Sequence, residues 1–190
     1  IMPNETMETK MKQQSEHEEK LRVDDILTVD AGDVIQTEED RENSVWFELR
    51  SAFRTHKILS GRIDAMEKTP RGDHLAVVYY KDFRVVIPYE EMNINLAENP
   101  ALGDINVRRD KIIGTMLGAE IDFVIRGLDP DARMVAASRR EAMMRKRNMF
   151  YAQTKDDGTY HIYEGRVVQA RVIAVAEKVI RVEGFGVECP

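Results

Sequence analysis

The chain has 190 residues, with 28 Lys+Arg against 34 Asp+Glu, a formal net charge of −6, 43% hydrophobic residues, four His and one Cys. A single Cys189 excludes an internal disulfide framework and a Cys-based metal cluster. No apolar run approaches the roughly 18 residues of a membrane span, and the polar, acidic N-terminus carries no secretory signal, so the sequence reads as a soluble cytoplasmic protein. Ile1 as the first residue, and Pro190 directly after a strand-like run, read as a fragment of a longer chain.

The charge is not evenly spread. The first 45 residues carry 13 acidic and 5 basic side chains, net −8, which leaves 23 basic against 21 acidic, net +2, for the rest. A uniformly acidic chain would repel nucleic acid; here the acidity belongs to the tail. Residues 1–43 are expected to form an acidic, largely disordered tail, because 1–22 has almost no branched apolar residues to offset its ordering entropy. Within it, 23–37 (VDDILTVDAGDVIQT) offers short apolar stretches broken at Ala31-Gly32-Asp33.

Residues 44–57 are predicted to be an amphipathic helix. Asn43 or Ser44 can cap it, and Trp46, Leu49 and Phe53 follow helical spacing. The pattern then changes to strand. Residues 58–67 form a first strand, and Thr69-Pro70-Arg71-Gly72-Asp73 a turn. HLAVVYY (74–80) forms a second strand, Lys81-Asp82 a two-residue hairpin turn, and FRVVIP (83–88) a third strand stopped by Pro88. Residues 93–110 read as a long polar connection and 111–118 as one helical turn. A fourth strand over 119–126, the turn Leu128-Asp129-Pro130-Asp131, and a fifth strand over 133–138 follow. Residues 139–151 form a basic helix that begins at the end of the barrel domain, and 141–157 is assigned to basic helix and linker. Strand patterning resumes in 158–190.

Leu59-Ser60-Gly61-Arg62-Ile63 and Tyr163-Glu164-Gly165-Arg166-Val167 both place Gly-Arg-aliphatic at a strand start, 104 residues apart. A spacing of one domain suggests a repeat. The fold expected is therefore mainly β with flanking helices: a five-stranded OB-fold Greek-key barrel over 58–140, plus the first three strands of a second, truncated OB unit over 158–190. Gly61 and Gly165 would sit where a first strand coils around its barrel.

Residues 59–140 resemble an S-one domain, the OB-fold RNA-binding repeat named after the first protein of the small ribosomal subunit, in a divergent bacterial form. The resemblance rests on Gly61-Arg62-Ile63, the paired strands HLAVVYY and FRVVIP, Ile87-Pro88-Tyr89-Glu90-Glu91-Met92, Gly118-Ala119-Glu120-Ile121-Asp122-Phe123-Val124-Ile125, and Leu128-Asp129 with Met134 to Arg140. It implies a non-enzymatic protein that holds single-stranded RNA in translation or RNA metabolism, with the ribosome or another protein as a further partner. The family's stacking positions fall on His74, Val77 and Pro88, of which only His74 is flat.

Single-strand binding needs a cationic groove and flat side chains. The candidate cations are Arg62, Lys68, Arg71, Lys81 and Arg84, with Arg139 and Arg140 at the head of the basic helix; Arg108, Arg109 and Lys111 lie in the connection. The candidate stackers are His74, Tyr80, Phe83 and Tyr89. Adjacent strand residues point to opposite faces, so at most one of Tyr79 and Tyr80 serves the binding side. No phosphate-cradling Gly loop, no His pair at metal-binding spacing and no clustered acids are present, so neither catalysis nor a cofactor nor a metal is expected. The alternative is a degenerate OB module that binds protein rather than nucleic acid, docking through the helices at 44–57 and 139–151. Burial of Tyr80 and Phe83 would favour it. DNA is a weaker alternative, separated from RNA by contact to the 2′-hydroxyl.

Overall fold

A computed structural model describes residues 37–96 and 99–190. The disordered tail and the short elements expected over 23–37 fall on residues outside these, apart from 37–43. The chain divides into two compact units, Ile1–Ser44 and Val45–Pro190. The described part of the first is the opening of helix α1 (Glu38–Thr55), which starts at Glu38 rather than near Ser44. Thr37 explains the earlier start. Its Oγ1 accepts from the Asp40 amide at 3.1 Å, and Asp40 Oδ2 accepts from the Thr37 amide at 3.1 Å. This reciprocal box satisfies two otherwise orphaned donors, and the Thr37 hydrogen bonds hold the Asp40 carboxyl below its ordinary value.

In the second unit, five strands close a mixed barrel: β1 (Ile58–Lys68), β2 (His74–Tyr80), β3 (Phe83–Pro88), β4 (Glu120–Asp129) and β5 (Met134–Ser138), ordered β1-β2-β3-β5-β4. All neighbours are antiparallel except β3 and β5, which run parallel. The molecule is mainly β with a few helices, and the barrel is consistent with an OB-like one. Lys81 and Asp82 have φ of 45° and 69°, so the β2–β3 connection is the tight primed turn whose twist suits a hairpin. It sets Tyr80 opposite Phe83, Tyr79 opposite Arg84 and Val78 opposite Val85.

The interior is built from one parity of each strand: Leu59 and Ile63, Ala76 and Val78, Phe83, Val85 and Ile87, Ile121, Phe123 and Ile125, Val135 and Ala137. Leu49 and Ala52 of α1 join this core, as do Met92, Ile113 and Met116. Ile113 lies on helix α2 (Ile105–Gly114), which begins inside the expected polar connection over 93–110 and runs into the expected helical turn over 111–118. Asp104 caps α2 by accepting from the amides of Asn106 and Val107 at 2.6 and 3.3 Å. Gly103-Asp104 is thus a helix start rather than a mid-loop turn.

Gly61 does face the barrel interior. A Cβ there would lie 2.6 Å from Val78 Cγ1 and 3.2 Å from Phe123, so β1 passes too close to its neighbours for a side chain. Gly165 behaves differently: its φ is +88°, it lies in a turn, and nothing stands within 4 Å of where its Cβ would be. The second sheet starts only at β6 (Arg171–Val175) and continues through β7 (Ile180–Gly184) and β8 (Val187–Cys189) as a meander. The Gly-Arg-aliphatic repeat in the sequence therefore occupies two different backbone settings, and the expected strand over 161–170 is absent. Cys189, which closes β8, is exposed.

Helix α3 (Arg139–Arg147) packs on β4, and Ser138 caps it by accepting from the Glu141 amide at 2.9 Å. It widens into a π-helical turn over Asn148–Ala152. The β7–β8 turn seats on α3 through Gly186, where a Cβ would overlap the Met143 carbonyl oxygen. Two ionic clusters fasten the meander. Asp122 on β4, almost fully buried, accepts from Lys146, from Ser60 at 2.5 Å and from Arg171 of β6 at 3.0 Å. Fully buried Arg139 donates to Glu183 of β7 and to the Met92 carbonyl, each at 2.9 Å, with Glu188 of β8 2.6 Å away.

Two outcomes are expected. Gly61→Ala overfills the barrel and lowers stability in urea unfolding by about 1–3 kcal/mol. For Asp122, burial alone would raise the carboxyl, but the donors Lys146, Ser60 and Arg171 outweigh it and hold it below the ordinary 3.8. Its contribution is therefore present above pH 3.8 and lost as pH falls through the lower folded value. Asp122→Asn should be less stable than wild type at neutral pH, with the deficit shrinking below that range.

Candidate nucleic-acid interface

The candidate residues divide between two faces of the barrel wall. Arg62 lies opposite Tyr79, and Tyr79 opposite Arg84, so these three side chains form one row across β1, β2 and β3. The adjacent row, Ile63–Val78–Val85, is fully buried. Opposed residues share a face and neighbours along a strand alternate. Arg62, Tyr79 and Arg84 therefore point outward. Tyr79 is 47% exposed, and Arg62 is exposed with no ion pair among the described residues. Glu120 on β4 closes the row beyond Arg62.

Arg84 reaches diagonally to Glu67, which stands opposite Leu75. The line between them crosses Val77, the outward residue midway, which is 1% exposed. Both members of the pair are part-exposed, so it is weakly held against a competing anion. Lys68 and Arg71, at the β1–β2 turn, are exposed. The outer wall thus offers one accessible ring flanked by two guanidinium groups, with further cations at one end.

The four aromatics expected to stack on bases are placed elsewhere. Phe83 is buried, with Trp46 of α1 stacked on it at 5.7 Å between ring centres and the Arg133 guanidinium 5.4 Å from its own centre. Tyr80 is half-buried, edge-on to Phe123 at 6.2 Å, and its hydroxyl donates to Glu48 of α1 at 2.8 Å. Lys81 donates to the other oxygen of Glu48 at 2.5 Å. That hydrogen bond first, opposed by some burial and joined by Tyr80, draws the Glu48 carboxyl below its ordinary value, while burial and Glu48 push Tyr80 up. Helix α1 has thus taken up Tyr80, Lys81 and Phe83 as its docking surface.

Tyr89 is buried and donates to Asp110 of α2 at 2.6 Å; burial and that carboxylate raise its hydroxyl well above the ordinary value. His74 Nδ1 lies 3.3 Å from the same Asp110 oxygen, with its ring 5.3 Å from that of Tyr89. This trio ties the start of β2 and the end of β3 to α2 and is a structural lock. Arg139, expected to face RNA, is instead the buried anchor of the meander. Arg140 is half-exposed and pairs with Glu91. Beside it, Arg126 and Arg145 share Glu141 at 2.6 and 2.8 Å, so this basic surface is largely neutralised.

Of the expected set, Arg62 and Arg84 meet on one exposed face, with Lys68 and Arg71 at the turn. Tyr79 joins them in place of Tyr80. The sequence held the signal: a two-residue turn at Lys81-Asp82 places Tyr79 opposite the polar Arg84, hence outward. Among the described residues, no group of three or more His, Cys, Asp or Glu could hold a metal ion, and no helix is long and apolar enough to cross a membrane. No family model matches the chain, and no curated protein sequence matches it.

Proposed function

We propose that the protein is a non-enzymatic binder of single-stranded RNA, similar to the S-one repeats of the OB class and acting in the cytoplasm in translation or RNA metabolism. The observation that carries this reading is the exposed row Arg62–Tyr79–Arg84 on the outer wall of a five-stranded barrel. A base stacked on Tyr79 would have a phosphate-binding guanidinium on each side. Arg84 would exchange Glu67 for a phosphate oxygen, a bidentate partner of matching geometry. The C-terminal meander is read as the opening of a second such unit, and the ribosome or another RNA-bound protein as a further partner.

A second reading has its own support. The capture of Phe83 and Tyr80 by α1 removes two flat side chains from the wall. It also leaves Phe47 of the same helix 69% exposed beside Arg50, Arg54 and Leu128. A barrel used for protein docking would present such a surface.

Anisotropy of a labelled mixed-sequence RNA single strand, titrated at low and moderate salt, separates the two. The RNA reading expects affinity to fall with salt, and the logarithmic salt slope to become shallower by about 0.7 for each of Arg62→Gln and Arg84→Gln. A DNA strand of the same sequence binding equally well would assign the site to single strands in general. No binding at low salt would leave the protein-docking reading.

A further inference from the structure

Away from the barrel wall, the junction between the π-helical turn and the meander holds an open slot of about 260 Å³. Phe150, His161 and Phe185 form its aromatic side; Ile162, Arg166, Val167, Val168 and Gln169 complete it. Phe150 lies 4.6 Å from Phe185 and 5.7 Å from His161 between ring centres, at interplanar angles of 50° and 73°. The three half-buried rings therefore form an angled corner rather than a closed stack, and all three line the slot.

Three local features show that this corner is held in place. Phe185 and Gly186, with φ of 53° and 90°, are the two central residues of the tight primed turn that joins β7 to β8, which fixes where the Phe185 ring emerges. The flanking Gly186 is seated against α3, and Tyr151 of the π-helical turn donates to the Gly184 carbonyl at 3.2 Å. The π-helical turn that carries Phe150 is a rare geometry, frequent at functional sites. At the mouth, Arg166 donates to the His161 carbonyl and stands 5.7 Å from the Tyr163 ring centre, which fixes its position while leaving other N–H groups unused. Gln169 supplies both a donor and an acceptor on the rim.

We infer that this slot binds a single unpaired nucleotide, with the base among Phe150, His161 and Phe185, its edge read by Gln169, and its phosphate met by Arg166. The volume suits one heteroaromatic base, and the lining combines flat apolar walls with one cation and one amide, the two kinds of contact a nucleotide requires. The inference rests on the proposed RNA reading for its biological meaning. Its site lies on different elements from the Arg62–Tyr79–Arg84 row, so each can fail alone.

The test is titration of the full chain with 5′-AMP, adenosine and inorganic phosphate in separate series, followed by backbone amide chemical shifts. The expected result is saturable 5′-AMP shifts at 148–152, 161–169 and 184–186, weaker ones with adenosine, and no comparable set with phosphate. Phe185→Gly, which suits the left-handed φ while deleting the ring, should weaken 5′-AMP roughly 5- to 150-fold, the range expected for one lost stacking partner. Arg166→Gln should reduce the preference for 5′-AMP over adenosine. Tyr79→Ala should leave these shifts unchanged while weakening the RNA strand. No shifts at millimolar 5′-AMP, equal shifts with phosphate alone, or 5′-AMP binding unaffected by both slot variants would overturn the inference. Absence of RNA strand binding by the unaltered chain, with its 5′-AMP shifts present, would instead count against the barrel-wall reading.

Discussion

Barrel closure gives every residue of β1, β2 and β3 one of two destinations, and the tight Lys81-Asp82 turn decides which. Because that turn has two residues, Tyr80 must face Phe83, Val78 must face Val85 and Tyr79 must face Arg84. A slip of one position would exchange the buried and exposed sets. The inward set fills the core, and Gly61 lets β1 pass close enough to complete it. The outward set then has no freedom: the guanidinium groups of Arg62 and Arg84 flank Tyr79 because Ile63, Val78 and Val85 are inside.

The second constraint is ionic. A buried guanidinium such as Arg139 is costly to desolvate, and it is tolerated because Glu183, Glu188 and the Met92 carbonyl surround it. Removing one partner of such a pair typically costs about 3–5 kcal/mol, since the other charge is left buried alone. Asp122 on β4 and Arg139 at the head of α3 reach across to Arg171 on β6, Glu183 on β7 and Glu188 on β8. The meander is therefore held to the barrel by directional contacts that fix its orientation, with Gly186 permitting the close approach. The aromatic slot at the junction inherits its geometry from that mounting.

Much of this was legible in the sequence. The five strands, the hairpin turn and the helix beginning the packing on the barrel follow from alternation, turn residues and helical spacing. The misreadings have physical causes. The α1 start was hidden in an acidic run whose Thr37–Asp40 capping box looks like ordinary tail charge. Helix α2 was obscured because Asn99-Pro100 and Gly103-Asp104 read as loop, although Asp104 is its cap. Residue type alone does not separate a stacker from a core ring: Phe83 and Tyr89 are aromatic but inward, and what covers them, Trp46 and Asp110, is distant in sequence. Arg139 reads as a surface cation at the head of the basic helix, and nothing local reveals that Glu183 and Glu188 are its partners. Gly165 matched Gly61 in letters but not in backbone.

The parity of Tyr79 and Tyr80 is the most direct point of attack. Two variants, Tyr79→Leu and Tyr80→Leu, would be compared for RNA single-strand affinity and for urea stability. The account predicts that Tyr79→Leu weakens RNA binding with stability nearly unchanged. It predicts the reverse for Tyr80→Leu, which removes the Glu48 hydrogen bond and the contact with Phe123. Loss of RNA binding on Tyr80→Leu at full stability, with Tyr79→Leu binding like wild type, would contradict it.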